Sequence, residues 1–420
     1  MFKTIANAWK IPEIRQKILF TLLMLLIYRI GAFIPVPGVN VEHIANIVGQ
    51  YDVLGFLNLM SGDSLSRMTI FALGIVPYIN ASIIMNLLTV AIPKLERMAK
   101  EGDDGRKKIA SITRYLGVTL GLIQAIGIML SMGPEAVENT SWFTYFTIVV
   151  CLTAGTALIM WIGERITEKG IGNGISLLIF ISIIAGVPGM VINIWNAAMA
   201  PTGTFWSIIL VTAIAFVIVL GITFVDLGER RIPVQYAKRV VGRKMYGGQS
   251  THIPMKVNQS GVMPLIFAIT ILMFPGMIAQ LFFPDSGFYA GYTQYFGQGT
   301  VVYGIVYALL ILFFSYFYSQ IAFNPVDVSK NLQQNGGFIP GIRPGKPTSD
   351  YLAKILSRIT LFGALFLAIV AAVPNFFNFA TGVPAVFGAT SLLIMVSVAL
   401  ETTKQLESQM MMRHYKGFLN

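Results

Sequence analysis

Ile70-Phe-Ala-Leu-Gly-Ile-Val-Pro-Tyr-Ile-Asn-Ala-Ser-Ile-Ile-Met-Asn-Leu-Leu88 runs without one charged side chain. As a helix rising ~1.5 Å per residue it would nearly match the ~30 Å hydrocarbon core of a bilayer. It is nevertheless too polar to face lipid all round. Pro77, Asn80, Ser82 and Asn86 would be costly in hydrocarbon unless turned toward protein or water. Ile79 and Ile83 are four residues apart and share one face. Two readings stay open at this point. Either the helix packs in a bundle with Asn and Ser as interhelical glue, or it lines an aqueous passage with its isoleucines toward the lumen.

The rest of the chain is of the same kind. Of 420 residues, 55% are hydrophobic and only 12% charged, half the charge of a soluble domain at about 25%. Mean hydropathy is +0.70. This composition excludes a cytosolic enzyme, a disordered chain and a secreted disulfide scaffold. The apolar content is enough for about ten spans of ~20 residues. Ten segments can be marked, near 18–36, 69–92, 110–132, 143–163, 174–192, 205–227, 260–283, 300–323, 356–374 and 385–403. The first follows a basic start and ends in Gly31-Ala-Phe-Ile-Pro-Val-Pro37 without a small-residue cleavage site, so it is expected to stay in place as a helix. The single cysteine, Cys151, lies inside an apolar run and can form no internal bridge.

Charge sets the expected orientation. With the N-terminus inside and the connections alternating, 28 of the 30 Lys and Arg fall on the inner side, leaving only Arg29 and Arg67. The outer connections carry Glu42, Asp52, Asp63, Glu135, Glu138 and Asp285. This asymmetry predicts ten spans with both termini in the cytoplasm. Ten spans divide into halves of five, residues 1–195 and 196–420, and an odd number per half inverts the second relative to the first. The expected fold is therefore an all-α polytopic membrane protein. Two inner loops, about 228–258 and 324–355, are longer and more basic than topology requires. They read either as ordinary positive-inside loops on anionic lipids or as a docking platform for a cytoplasmic partner.

Tyr51-Asp-Val-Leu-Gly-Phe-Leu-Asn-Leu-Met-Ser-Gly62 is apolar but too short to cross, since a helix of ~10 residues covers only ~15 Å. It must lie in the interface or re-enter a cavity lined by protein or water. The glycine-rich Gly170-Ile-Gly-Asn-Gly-Ile-Ser176 and Gly341-Ile-Arg-Pro-Gly-Lys-Pro-Thr348 lack the spacing and flanking residues of a nucleotide cradle. His43, His252 and His414 lie in separate loops, and no nucleophile–base pair stands out. No enzymatic activity and no cofactor are expected. Arg29 is the one charge deep in a span, and carriers usually hold acidic or His relays at mid-membrane. Polar groups inside with no buried charge fit a passive pore, with an inverted-repeat secondary solute transporter as the alternative.

Several blocks carry a resemblance: Tyr28-Arg-Ile-Gly-Ala-Phe-Ile-Pro-Val-Pro37, Phe71-Ala-Leu-Gly-Ile-Val-Pro-Tyr-Ile-Asn-Ala-Ser82, Gly170-Ile-Gly-Asn-Gly-Ile-Ser176, Tyr236-Ala-Lys238, Gly248-Gln-Ser-Thr-His-Ile-Pro-Met-Lys-Val-Asn258, Gly341-Ile-Arg-Pro-Gly345 and Gly388-Ala-Thr-Ser-Leu-Leu-Ile394. In this order and spacing the chain resembles the SecY family, channel subunits of the bacterial Sec protein translocase, in a Firmicute-like version.

The resemblance implies a ten-helix clamshell of two pseudo-symmetric halves around an hourglass pore in the bacterial cytoplasmic membrane. Unfolded preproteins would cross it, and apolar segments would leave sideways into lipid. It implies a pore ring of Ile79, Ile83, Ile179, Ile266 and Ile394, with Thr270 one turn after Ile266. The 51–66 segment corresponds to a plug, with Leu54, Phe56, Leu57, Leu59 and Met60 as its apolar residues. Spans two and seven correspond to a lateral gate carrying Asn80, Asn86 and Phe274. Arg243, Lys244 and Arg343 correspond to the surface that docks the SecA motor ATPase or the ribosome. SecE and SecG would be the small membrane partners.

Overall fold

The computed structural model describes residues 8–50, 52–199, 205–236, 239–241, 244–246, 250–259, 261–283, 286–297, 300–381 and 389–416. Helices α1 (Pro12–Gly31), α2 (Val41–Gln50) and α3 (Asp52–Ser61) lead into α4 (Val76–Ala91) and α5 (Pro93–Lys100). The helix expected over 69–92 begins seven residues late. Thr69 bridges antiparallel to Pro35 and residues 70–75 form turns, with Gly74 at positive φ, and Pro77 sits where a first-turn N–H is not needed. Ile92 precedes a proline and is extended, so α5 leaves α4 at 100°. There follow α6 (Asp103–Met132), α7 (Trp142–Lys169), α8 (Gly174–Met199) and α9 (Phe205–Leu227). Beyond the sheet described below come α10 (Met263–Phe282), α11 (Gly287–Phe296), α12 (Val301–Ala322), α13 (Pro325–Gln334), α14 (Lys346–Thr381) and α15 (Ala389–Lys416).

Among the described residues, five helices are long and apolar enough to cross a membrane: Asp103–Met132, Trp142–Lys169, Met263–Gln280, Val301–Gln334 and Lys346–Ala372. The bent α4–α5 pair makes a sixth if counted as one span. Two further expected spans fall on α8 and α9, 26 and 23 residues long, whose fully described parts Gly174–Gly189 and Thr212–Leu227 are apolar.

The chain divides into two units. The first comprises Met1–Ile208, Met273–Gln298 and Val398–Asn420. In it α4 packs on α6, α6 on α7, and α7 on both α1 and α8. One core cluster in it joins α2 and α3 to α6 and α7 through Ile44, Val48, Leu54, Ile128, Ile148 and Leu152. The second comprises Ile209–Leu272 and Gly299–Ser397. In it α12 packs along α14, where the buried hydroxyls of Ser319 and Thr360 are 2.7 Å apart.

The all-α expectation needs one correction, in the long connections of the second unit. Strands β1 (Glu229–Tyr236), β2 (Arg239–Val241), β3 (Lys244–Tyr246) and β4 (Ser250–Lys256) fill the first, and β5 (Gly337–Phe338) lies in the second. β1 pairs antiparallel with β4, from Glu229 opposite Lys256 to Gln235 opposite Ser250, and takes β5 on its other edge. Ile232 and Val234 alternate inward and bury against Met255, Leu332, Ile339 and Leu352. The 324–355 stretch is thus α13, β5 and the start of α14 rather than loop.

Candidate functional site

The short helix α3 is seated against protein through its described side chains. It packs on α2 and α8, with Leu54 and Met60 buried and Leu57 half-buried. The side chains of Phe56 and Leu59 lie outside the described residues. The turn after α3 is built around Asn58. Its amide Nδ2 donates to Asp63 at 3.0 Å and its Oδ1 accepts from the Ser66 N–H at 2.9 Å. Asp63 itself adopts a left-handed φ of 64°, which Asp tolerates better than most residues. At the end of the helix the Tyr28 hydroxyl, 2.7 Å from Ser182 Oγ, donates to the Ser61 carbonyl at 3.4 Å. Gly62 closes the contact. Its φ is +66°, and a Cβ there would stand 3.0 Å from Ser182 Cα and 3.1 Å from its carbonyl oxygen. Only glycine allows the turn to sit flush on the backbone of α8.

The same unit holds three of the singled-out isoleucines. Ile79 and Ile83 on α4 and Ile179 on α8 are 7%, 3% and 2% exposed. Asn80 lies between the first two, buried, and its side-chain oxygen has no hydrogen-bond partner among the described residues. Asn86 is half-buried on the same helix, and Phe274 packs, half-buried, against the core cluster of this unit. In the second unit Ile266 and Ile394 are buried and Thr270 is half-buried. On the flank of the first unit, Arg114 grips Glu164 with two hydrogen bonds of 2.6 and 3.1 Å, tying α6 to α7.

The glycine-rich 170–176 segment is a packing device rather than an anion cradle. A Cβ at Gly174 would collide with the Gly163 carbonyl, so α7 and α8 meet here at backbone distance. Thr167 accepts from the Gly174 N–H at 2.9 Å, Thr21 accepts from Ile171 at 3.1 Å, and Asn173 caps α8. Among the described residues no group of His, Cys, Asp and Glu is arranged to hold a metal ion.

The SecY family model matches residues 69–403, well over half of the chain. Protein translocase subunit SecY of Halalkalibacterium halodurans is 47% identical over the whole of both chains. Its counterparts in Streptomyces galbus and Mycobacterium tuberculosis are 45% and 43% identical, again over the whole of both. The chain belongs to the SecY family. Its fold is also that of solved structures with much lower identity. A protein-conducting channel matches with TM-score 0.66 at 20% identity over 96% of each chain. Sec61 from a canine ribosome–channel complex of the endoplasmic reticulum matches with TM-score 0.62 at 18% identity, again over 96% of each.

Within this SecY-family chain the basic residues singled out for docking divide. Arg243 lies outside the described residues, and of Lys244 only its backbone in β3 is described. Arg343 is exposed on the Gly341–Gly345 turn, whose two glycines have φ of +80° and +94°. The turn is held from behind. Thr348 Oγ1 donates to the Arg343 carbonyl at 2.8 Å and Ser329 Oγ to the Gly345 carbonyl at 2.7 Å.

Asp226 is the residue the sequence argument passed over. It sits at the end of α9, accepts from Asn258 Nδ2 at 2.8 Å and from Ser397 Oγ, and so joins α9, the segment after β4 and α15 within the second unit. No local pattern marks it, because its partners are 32 and 171 residues away.

Proposed function

We propose that this chain is the protein-conducting channel subunit of a Sec translocase in a bacterial cytoplasmic membrane, with both termini cytoplasmic and no catalytic activity of its own. The observation that carries the proposal is full-length identity of 43–47% to translocase subunits, with every part of each relative covered. This sets aside the solute-carrier alternative. Ten spans in two inverted halves, residues 1–195 and 196–420, would surround an hourglass pore, and apolar segments would leave between spans two and seven past Asn80, Asn86 and Phe274.

Ile79, Ile83, Ile179, Ile266 and Ile394 form its ring in this reading. Uncharged aliphatic side chains make a dry, deformable neck that resists hydrated ions and offers a passing peptide no sequence preference. The helix Asp52–Ser61 is the plug. Its burial in protein supports that role over an interfacial one, as does its glycine seat on α8. A solved relative at 20% identity and TM-score 0.64 is described by a plug domain that stabilises the closed state and maintains a membrane seal.

Movement needs an outside energy source. The platform of β1, β4, β5 and Arg343 would dock a SecA-type motor ATPase or the ribosome, with SecE and SecG as small membrane subunits. The canine Sec61 neighbour comes from a ribosome complex, which supports the ribosome among these. Basic loops within a Debye length of ~8–10 Å of an acidic partner, or of anionic lipids, would be drawn to it. In proteoliposomes holding the chain, its small subunits, motor and ATP, a preprotein should become protease-protected. Arg343→Glu should remove most of that protection while leaving the folded protein intact. No protection with the wild-type chain would overturn the channel reading, and normal protection with Arg343→Glu would remove that residue from the docking surface.

A further inference from the structure

Twenty-eight of the thirty Lys and Arg sort to one side of the expected topology, and the two exceptions converge on one aromatic ring. Arg29 lies in the last turn of α1, and Arg67 lies in the turns after α3. Their guanidinium carbons stand 5.2 Å and 4.7 Å from the centroid of the Phe33 ring. The two charges therefore lie within ~10 Å of each other, about one Debye length in 0.1 M salt. Among the described residues neither is ion-paired. Arg29 Nη1 is buried and donates to nothing described. That nitrogen is turned inward beside Gly62, where an added Cβ would stand 3.3 Å from it. The two neighbouring cations repel, and it is this repulsion that calls for an anion.

The surroundings say which kind. Phe33 is 57% exposed and crowns a strip of exposed apolar side chains on α1, namely Leu19, Leu22, Leu23, Leu26 and Ile30. Their spacing of three and four puts them on one helix face. On a chain that spans a membrane, such a face meets acyl chains, and a ring with two guanidinium groups at its end lies at headgroup depth.

We propose that Arg29, Arg67 and Phe33 bind the phosphodiester headgroup of an anionic phospholipid, whose acyl chains lie along Leu22, Leu26 and Ile30. The phosphate oxygens accept from both guanidinium groups, a geometry the planar fork of arginine suits. A zwitterionic headgroup brings an ammonium beside the same phosphate and is repelled by the pair. An acidic side chain from a protein would satisfy the charge, but one phospholipid supplies both the anion and the apolar cover. The inference is independent of channel activity and rests only on the end of α1 lying at a bilayer surface.

The test uses the full chain in phosphatidylcholine nanodiscs doped with phosphatidylglycerol that carries a photoactivatable diazirine near its headgroup. After irradiation, the peptide containing Phe33 should be labelled. Arg67→Gln alters an exposed side chain and should cut that label about tenfold, while Arg67→Lys, which keeps the charge but not the fork, should cut it less. Excess unlabelled phosphatidylglycerol should compete. The proposal is overturned if the label is unchanged in Arg67→Gln, or if phosphatidylcholine competes equally. It is also overturned if inorganic phosphate competes, marking a soluble-anion site, or if a bound small membrane subunit abolishes the label, assigning the arginines to a protein partner.

Discussion

Replacing Gly62 by alanine adds a single methyl group, yet it strikes the point where the turn after α3 meets α8. Two costs follow from the geometry. At φ +66° an L-residue pays the left-handed penalty of ~1–2 kcal/mol. The new Cβ would also stand 3.0 Å from Ser182 Cα and 3.1 Å from its carbonyl, where the obstacle is helix backbone and cannot rotate aside. The left-handed term alone shifts the seated-to-displaced equilibrium by a factor of about 5–30, and the steric term adds to it. Resting ion conductance of the reconstituted protein in planar bilayers reads that shift directly. Gly102→Ala is the control. Its φ is +86° with nothing within 4 Å of the added Cβ, so it carries the backbone penalty away from α3 and should leave conductance unchanged. Wild-type conductance in a folded Gly62→Ala protein would refute the idea that this segment closes anything.

Three further outcomes follow from the same structure. Ile83→Gly and Ile179→Gly should each raise resting ion leak, because a buried aliphatic collar loses its bulk; unchanged bilayer conductance would take that residue out of the ring. Asp226→Ala leaves Asn258 and Ser397 without their acceptor. Hydrogen bonds to a charged group contribute about 1.5–3 kcal/mol, which for a unit of this size should lower the thermal midpoint by roughly 3–12 °C. Asp226→Asn, which keeps one acceptor, should lose less, and an unaltered melt of Asp226→Ala would show the three groups to be uncoupled.

Local patterns made part of this legible. The shared face of Ile79 and Ile83 and the polar residues around them follow from helical periodicity, and the 51–62 segment is too short to cross by length alone. The turns over 70–75 were hidden because their residues are as apolar as the helix they precede. The β1–β4 sheet was hidden for a different reason. Ile232 and Val234 alternate as a strand should, but Pro233 between them argues against one, and the pairing strand begins fourteen residues after β1 ends. The proline is tolerated because β5 reaches only Gln235 and Tyr236. Asp226 and the shared ring of Arg29 and Arg67 depend on tertiary contacts that no spacing encodes. The two arginines were nonetheless visible as charges on the wrong side.

The most direct measurement replaces Cys151 with serine, places a single cysteine at position 83, and stalls a preprotein carrying a cysteine-reactive cross-linker midway through translocation. The account predicts a cross-link at position 83 and none at Leu130, which is 65% exposed on α6. A stalled chain that bypasses position 83, or labels position 130 as strongly, would mean that polypeptide does not pass the isoleucines.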